Sequence, residues 1–329
     1  MKVVVLGGAG FVGVNIAEKL LAEGHEVHLF DRIDLPGGAT EAFSALPGKY
    51  TLTKGDVGDT TAIRQAIAPG VDAVVLGAAV TADAARETRD PQGILQVNLM
   101  ALAPVLEACR DAGVSRIVNL SSAAVYGHAA MGDADVDEDT APEPAGLYGI
   151  TKFGSEMIGE RLAQLWSLDF VNLRLSAVFG PWERATGQRD TTSAPFQITE
   201  AARLGEPALL ERPGERDWVY GSDVADAVSL VLQVPALKHR VYNVSSPWRW
   251  SALAWGQAFA AGHPGFECRL ATAGETPTIA LHSAADRASL STARLRHELG
   301  WSARHDLARS AAHLETWCRR FTPASKESP

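Results

Sequence analysis

The sequence predicts an α/β protein, a doubly wound parallel sheet with a smaller, mostly C-terminal domain attached. Three observations carry that prediction. Met1–Leu6 is an apolar, β-branched run broken only by Lys2, and the turn Gly7-Gly8-Ala9-Gly10-Phe11-Val12-Gly13 follows at once. Val14–Ala22 then shows helical spacing, with Val14, Ala17, Leu20 and Leu21 on one face. Strand-like and helical stretches go on alternating through the first half of the chain, the order that gives parallel strands with right-handed crossovers.

A glycine turn between a strand and a helix is the context of a Rossmann-type dinucleotide fingerprint, here spaced Gly-x-x-Gly-x-x-Gly. Gly7 permits the tight turn out of the strand. Gly10 lets backbone N–H groups approach a pyrophosphate at the positive end of the helix dipole. Gly13 lets the helix pack closely on the strand. Gly7, Gly10, Phe11, Val12 and Gly13 are therefore candidate cofactor contacts.

The second strand, Glu26–Phe30, ends at Asp31-Arg32. A carboxylate there accepts hydrogen bonds from the adenosine ribose and repels a 2′-phosphate, so Asp31 favours NAD over NADP. Arg32 tempers that preference, since an arginine tolerates the phosphate. The plainer reading of Asp31 is a solvated strand end. Residues 33–49 read as a loop rich in glycine, proline and small residues, and 50–53 as a short strand. Asp59 is placed to cap a helix over 61–68. Ala73–Leu76 reads as a fourth strand, and the small residues Ala78 and Ala79 after it would let the backbone pass over the cofactor. A long helix is expected from about Gln92 to Ala112, carrying Asn98, then a fifth strand over Ser115–Leu120. Further on, 223–234 reads as a core-facing helix and 241–244 as another strand. Trp248, Trp250 and Trp255 are expected in the core of the smaller domain.

Composition narrows the partners. A formal net charge of −9 argues against nucleic acid and anionic membranes. The three cysteines, Cys109, Cys268 and Cys318, are far apart and form no C-x-x-C pair, which fits a reducing cytoplasm and no zinc site. No signal peptide is read, and no stretch is expected to span a membrane. The acidic run 133–139 is expected to be a solvated loop over the active-site entrance, without calcium-loop spacing, so no metal is expected. The tail 322–329 is expected to be disordered.

The chemistry follows the fifth strand. It runs into Ser121-Ser122-Ala123-Ala124-Val125-Tyr126-Gly127, and Leu147-Tyr148-Gly149-Ile150-Thr151-Lys152 later opens a helix. Tyr148 and Lys152 are four residues apart and share one face. A phenol is a poor base at neutral pH, but a neighbouring ammonium and the positive nicotinamide ring favour the phenolate. Tyr148 can then take a proton from a substrate hydroxyl while hydride leaves the same carbon. Lys152 can also hold the nicotinamide ribose. Ser122 would hydrogen-bond the reacting oxygen.

These stretches, with RLSAVFGP at 174–181, RDWVYGSDVADAV at 216–228 and LRHELGW at 295–301, resemble the extended short-chain dehydrogenase/reductases. Within them the closest likeness is to the NAD-dependent epimerase/dehydratase group that includes UDP-galactose 4-epimerase. The resemblance implies NAD as cofactor and Ser122, Tyr148 and Lys152 as the catalytic set. It places Asp56 and Val57 at the adenine ring and makes Asn98 a supporting polar residue. It implies a cofactor domain over 1–175, with 217–245 returning to it, and a substrate domain over 176–216 and 246–321. It also implies a homodimer formed by the helices around 92–112 and 147–166.

The chain departs from that pattern in two places. Dehydrating members carry an Asp-Glu pair where this chain has Ala123 and Ala124, so dehydration is not expected. Nucleotide-sugar enzymes place an asparagine where this chain has Ala177 and an arginine near 276–282, where it has none; Arg216 remains as an anion contact. The segment 181–190 offers replacements. Trp182 could stack on a sugar, and Arg184 and Arg189 could bind a carboxylate or phosphate, unless this is only a solvated loop. Ser122, Ala123, Tyr148, Trp182, Arg184 and Arg216 are thus the candidate substrate contacts. Arg287 could act similarly, but nothing in the sequence fixes its direction.

The reading is an NAD-dependent enzyme moving a hydride between a sugar carbinol carbon and nicotinamide, in the first instance a nucleotide-sugar epimerase. Two alternatives stay open: a dehydrogenase of a free sugar or sugar acid, and a non-catalytic NAD-sensing protein on the same fold.

Overall fold

The computed structural model describes residues 1–132, 134–283 and 285–321. Its centre is a parallel sheet of seven strands. Six are β1 (Lys2–Leu6), β2 (Glu26–Asp31), β3 (Lys49–Lys54), β4 (Ala73–Leu76), β5 (Arg116–Ser122) and β6 (Phe170–Leu175). The seventh is Val241–Val244, and the order across the sheet is Val241–Val244, β6, β5, β4, β1, β2, β3. The order reverses between β1 and β4, which is where a doubly wound sheet opens a crevice at its carboxyl edge.

Period-two alternation divides β1 between the two faces. Val3 and Val5 pack with Val14, Ala17 and Leu20 of the first helix (Phe11–Ala22). Val4 and Leu6 pack on the other face with Ile63, Val105 and Leu106. Leu6 stands opposite both Phe30 and Leu76, so β1, β2 and β4 end level with one another. That register brings the glycine turn, Asp31 and the Gly77–Val80 segment to one crevice.

Two expected outlines change. The stretch read as a loop over 33–49 contains the helix Ala39–Ser44, whose Phe43 is buried against Tyr50 with ring centroids 5.2 Å apart. The expected long helix is broken into Pro91–Leu95, a π-turn at Gln96–Met100 and Leu102–Ala112. A π-turn shifts the helix faces by one residue, and here it turns Asn98 inward. Taken together, Pro91–Ala112 is long and apolar enough to cross a membrane, contrary to the expectation from sequence. Its apolar residues serve two faces: Ile94, Leu102, Val105 and Leu106 are buried in the core, whereas Leu95 and Met100 are exposed.

The smaller domain collects around aromatic rings. Phe179, Trp218, Tyr220, Trp250, Trp255 and Phe259 share one buried cluster, and Trp250 stacks on Trp255 at 5.7 Å; Trp248 packs at its margin. The C-terminal helix Leu307–Phe321 bridges the domains, with Leu314 in this cluster and Trp317 and Phe321 against Trp182. Trp182 is 2% exposed and its Nε1 donates to Glu18 Oε2 at 2.9 Å. It is a core residue, not the expected sugar platform, because the C-terminal helix closes over it.

The acidic run is also no free loop. Val136 bridges to Leu290, Glu138 accepts from the Asn243 N–H at 2.8 Å, and Asp139 pairs with Arg294 at 2.6 Å. Asp133 and the tail 322–329 lie outside the described residues.

Candidate active site

The glycine turn is tight by necessity. Gly7 has φ of 78°, and a Cβ there would stand 2.6 Å from the Ala78 nitrogen. A Cβ on Gly13 would stand 2.3 Å from the Gly7 carbonyl oxygen. Gly10 is the N-cap of the first helix, and no side chain caps it. The first-turn N–H groups of Phe11, Val12 and Gly13 therefore face the crevice under the positive end of the helix dipole.

Asp31 sits at the rim, where its carboxylate accepts from the Ala9 N–H at 3.0 Å and the Ile33 N–H at 3.3 Å. Arg32 turns away from it to Asp56 at 3.2 Å and Gln188 at 2.9 Å. Asp56 also accepts from the Gly58 N–H at 2.8 Å, and Val57 beside it is buried in the core. Ala78 and Ala79 are half-buried after β4. A cavity of about 40 Å³ lies beneath them, lined by Val57, Leu76, Ala78, Asn98 and Lys152 among others.

Asn98 holds this segment rather than offering itself to the cofactor. Its Oδ1 accepts from the Val80 N–H at 2.7 Å, and its Nδ2 donates to the Val80 carbonyl at 2.9 Å and Thr151 Oγ1 at 3.2 Å. With both amide protons engaged, Asn98 acts as a positioning residue and not as a direct, cofactor-binding contact.

The helix Leu147–Trp166 carries the candidate catalytic residues Tyr148 and Lys152. Lys152 is 6% exposed, and its Nζ donates to the Leu120 carbonyl at 2.8 Å and stands 5.9 Å from the Tyr148 ring centroid. Ser122 ends β5, and its Oγ accepts from the Ala124 N–H at 3.1 Å, which leaves its proton free to donate. Ala123 is buried beside it. Gly149 brings the two halves together, since a Cβ there would stand 2.5 Å from the Ala124 carbonyl oxygen.

Two positioning features escaped sequence reading. Glu87 caps the helix Leu147–Trp166, accepting from the Leu147 N–H at 2.6 Å, from a helix remote in sequence. Under Ser122, Glu156 accepts from Ser121 Oγ at 2.5 Å and from Arg174 Nη2 at 2.7 Å. Arg174 in turn reaches Tyr126 Oη at 3.0 Å, and Tyr126 donates to Asn243 at 2.8 Å. Glu156 and Arg174 are both nearly inaccessible, and they tie the helix Leu147–Trp166 to β5, β6 and Val241–Val244. The i+4 step from Lys152 to Glu156 was visible in the sequence, but its distant partner was not.

On the substrate side, Arg287 donates to Ser176 Oγ at 2.6 Å and pairs with Asp217 at 2.7 Å. Arg189 pairs with the buried Glu183 at 2.9 Å and stands 3.3 Å from His282 Nε2. Arg216 donates to Ser283 Oγ at 2.6 Å, and no carboxylate pairs with it among the described residues. Burial, and then the Arg287 charge, push its pKa down to about 10. His282 is solvent-accessible yet densely surrounded; its surroundings, then Arg189 and Arg216, push its pKa below the usual histidine range. Ala177 packs on the aromatic cluster. Arg184 is corrected: its Nη2 donates to the carbonyls of Ala9 at 3.2 Å and Asp34 at 2.6 Å, beside the glycine turn and the end of β2 and not toward a substrate. The segment crosses back over the crevice, which sequence spacing could not show.

The model of the NAD dependent epimerase/dehydratase family matches residues 3–245. The chain belongs to that family. This family member is similar to a UDP-glucose 4-epimerase of Corynebacterium glutamicum, 27% identical over 98% of the chain and 96% of the relative. It is also similar to a dTDP-glucose 4,6-dehydratase of Mycobacterium tuberculosis, 29% identical over 75% of the chain and 72% of the relative. Among solved structures, MoeE5 in complex with UDP-glucuronic acid and NAD has a TM-score of 0.75 at 27% identity, covering 97% of this chain and 99% of that one. A UDP-glucose-4-epimerase from Stenotrophomonas maltophila shares the fold, with a TM-score of 0.82 at 24% identity over 99% of this chain and all of that one (100%). The residues present fit NAD: the glycine turn has no room for side chains, and the Asp31 carboxylate stands at the rim.

Proposed function

We propose that the chain is an NAD-dependent nucleotide-sugar epimerase. The observation that carries this reading is the set of Ser122, whose proton is free to donate, and Lys152, 5.9 Å from the Tyr148 ring, together with an Arg216 that makes no ion pair among the described residues. The bound cofactor supplies reversible hydride transfer at its nicotinamide ring. Tyr148 takes the proton from the sugar hydroxyl as that carbon is oxidised, and returns it after the ketone has turned over in the cleft. Ser122 donates to the reacting oxygen, and Lys152 favours the phenolate of Tyr148. Arg216 holds the diphosphate that links sugar to nucleoside.

Elimination of water is not part of this proposal, although a dehydratase is among the relatives. Ala123 and Ala124 supply neither an acid for the leaving hydroxyl nor a base for a carbon-bound proton. A second reading, a dehydrogenase of an unactivated sugar, is favoured by Ala177 and by the lack of an arginine at 276–282.

The test is incubation of the purified protein with UDP-, dTDP- and GDP-sugars, following epimers by NMR and NADH by absorbance. Epimer without net NADH is expected. Accumulating NADH with a free sugar, and no epimer, would replace this reading by the second. Tyr148→Phe should lower turnover by about 10²–10⁴-fold with NAD affinity retained. Equal turnover in that variant would remove the mechanism, whereas NAD binding without turnover of any sugar by the wild-type protein would favour the NAD-sensing alternative.

The reading includes a homodimer in a reducing cytoplasm. Met100, Ile150, Met157, Ile158 and Leu165 are exposed apolar residues on the helices around 91–112 and 147–166. Exposed apolar patches of this kind support association. Met157→Glu is expected to give a monomer by light scattering; a wild-type protein that is already monomeric would rule the dimer out.

A further inference from the structure

We propose that Trp182–Asp190 is a strap across the cofactor crevice and that Arg184 is a cofactor-binding residue. The inference rests on NAD as cofactor and not on the identity of the sugar.

Both ends of the strap are fixed. Trp182 is buried under the C-terminal helix, and Glu183 accepts from the N–H of Ser193 at 2.7 Å and its hydroxyl at 2.6 Å. Between them the chain leaves the smaller domain and touches both sides of the point where the strand order reverses. On the β1–β2 side, Arg184 bonds the Ala9 and Asp34 carbonyls, and Gln188 accepts from Arg32. On the β4 side, the Thr81 N–H donates to the Gln188 carbonyl at 2.8 Å and the Asp190 N–H donates to the Thr81 carbonyl at 3.1 Å. Arg86 clasps the far end, donating to the Gly187 carbonyl at 2.8 Å and to Asp190 at 3.0 Å. A dinucleotide lying in the crevice between β1 and β4 must pass beneath this segment.

Arg184 supplies the ligand-directed observation. Its Nη2 is shared by two backbone carbonyls, one of them in the glycine turn itself, yet its Nε is buried with no hydrogen-bond partner among the described residues. A buried guanidinium N–H left unpaired is costly. Asp31, which faces the adenosine ribose, acts on this same guanidinium electrostatically. The acceptor that fits is an oxygen of the adenosine diphosphate half of NAD, and a charged donor suits it. The strap therefore keeps the cofactor resident through successive turnovers.

The test is calorimetric binding of NAD, ADP and nicotinamide mononucleotide to the full chain, with the NAD release rate measured separately. Arg184→Ala should weaken NAD and ADP by the same factor, about tenfold to a hundredfold, and leave nicotinamide mononucleotide unchanged. Arg86→Ala, away from the cofactor, should speed NAD release several-fold by opening the clasp. Unchanged ADP affinity in a folded Arg184→Ala protein, judged by circular dichroism, overturns the role of Arg184. Unchanged release in Arg86→Ala overturns the strap. Should Arg184→Ala not fold, Arg184→Lys keeps the charge without the planar fork; intermediate ADP affinity supports the proposal and wild-type affinity overturns it. None of these measurements involves a sugar, so failure here leaves the epimerase reading standing, and failure of that reading leaves this one.

Discussion

The cofactor half and the substrate half of the cleft are built on opposite principles. The cofactor half is made of backbone. Level strand ends, a glycine turn and open helix N–H groups form it, and Asp31 at its rim directly follows the second strand's apolar run. The substrate half is made of arginines drawn from separate segments, most of them neutralised: Arg189 by Glu183, Arg212 by Asp286, Arg287 by Asp217. Arg216 alone among these four makes no ion pair among the described residues, and Asp217 and Asp286 act on it only from a distance. In the first region geometry selects the ligand. In the second, selection lies in which cation is left without an acid.

The largest test of that contrast lies beneath both halves. Glu156→Ala leaves the Arg174 guanidinium buried and unpaired, and should cost about 3–5 kcal/mol of stability in chemical denaturation. A loss well under that would mean that the Glu156–Arg174 pair does not hold the catalytic helix.

Arg216→Ala comes next. It should weaken nucleotide-sugar binding by about tenfold to a hundredfold and raise KM more than it lowers kcat, with NAD affinity unchanged. An equal loss in NAD affinity would erase the division between the halves.

The smallest effect concerns His282. Its folded pKa lies below the ordinary value of 6.5, so the unfolded chain takes up the proton first as pH falls. The stability contributed by the neutral ring is therefore complete above pH 6.5 and is lost progressively below it. His282→Gln should flatten the acid limb of the stability profile measured by thermal melts. An unchanged limb would mean that neither the ring's desolvation nor the Arg189 and Arg216 charges lower its pKa in the folded chain.

The legibility of the sequence follows the same division. The sheet, the glycine turn, Asp31, Ser122, Tyr148 and Lys152 could be read because each is a local pattern of period, turn chemistry or i+4 spacing. The helix Ala39–Ser44 and the π-turn at Gln96–Met100 were missed. The first is too short to show a period, and the second is a local change of helical phase. Trp182 and Arg184 were misplaced because their segment doubles back over the crevice and the C-terminal helix closes on it.

The sequence by itself determined the order of strands and helices, the glycine turn between the first strand and helix, and the i+4 placement of Tyr148 and Lys152, since these depend on neighbours within a few positions. Only the tertiary structure decided which arginines are neutralised, that Glu87 caps the helix of Tyr148 and Lys152, and that Arg184 reaches back to the glycine turn. Apart from Arg189 and Glu183, six positions apart, those outcomes depend on partners 60 to 175 positions away, and burial fixes them by removing water as the alternative partner.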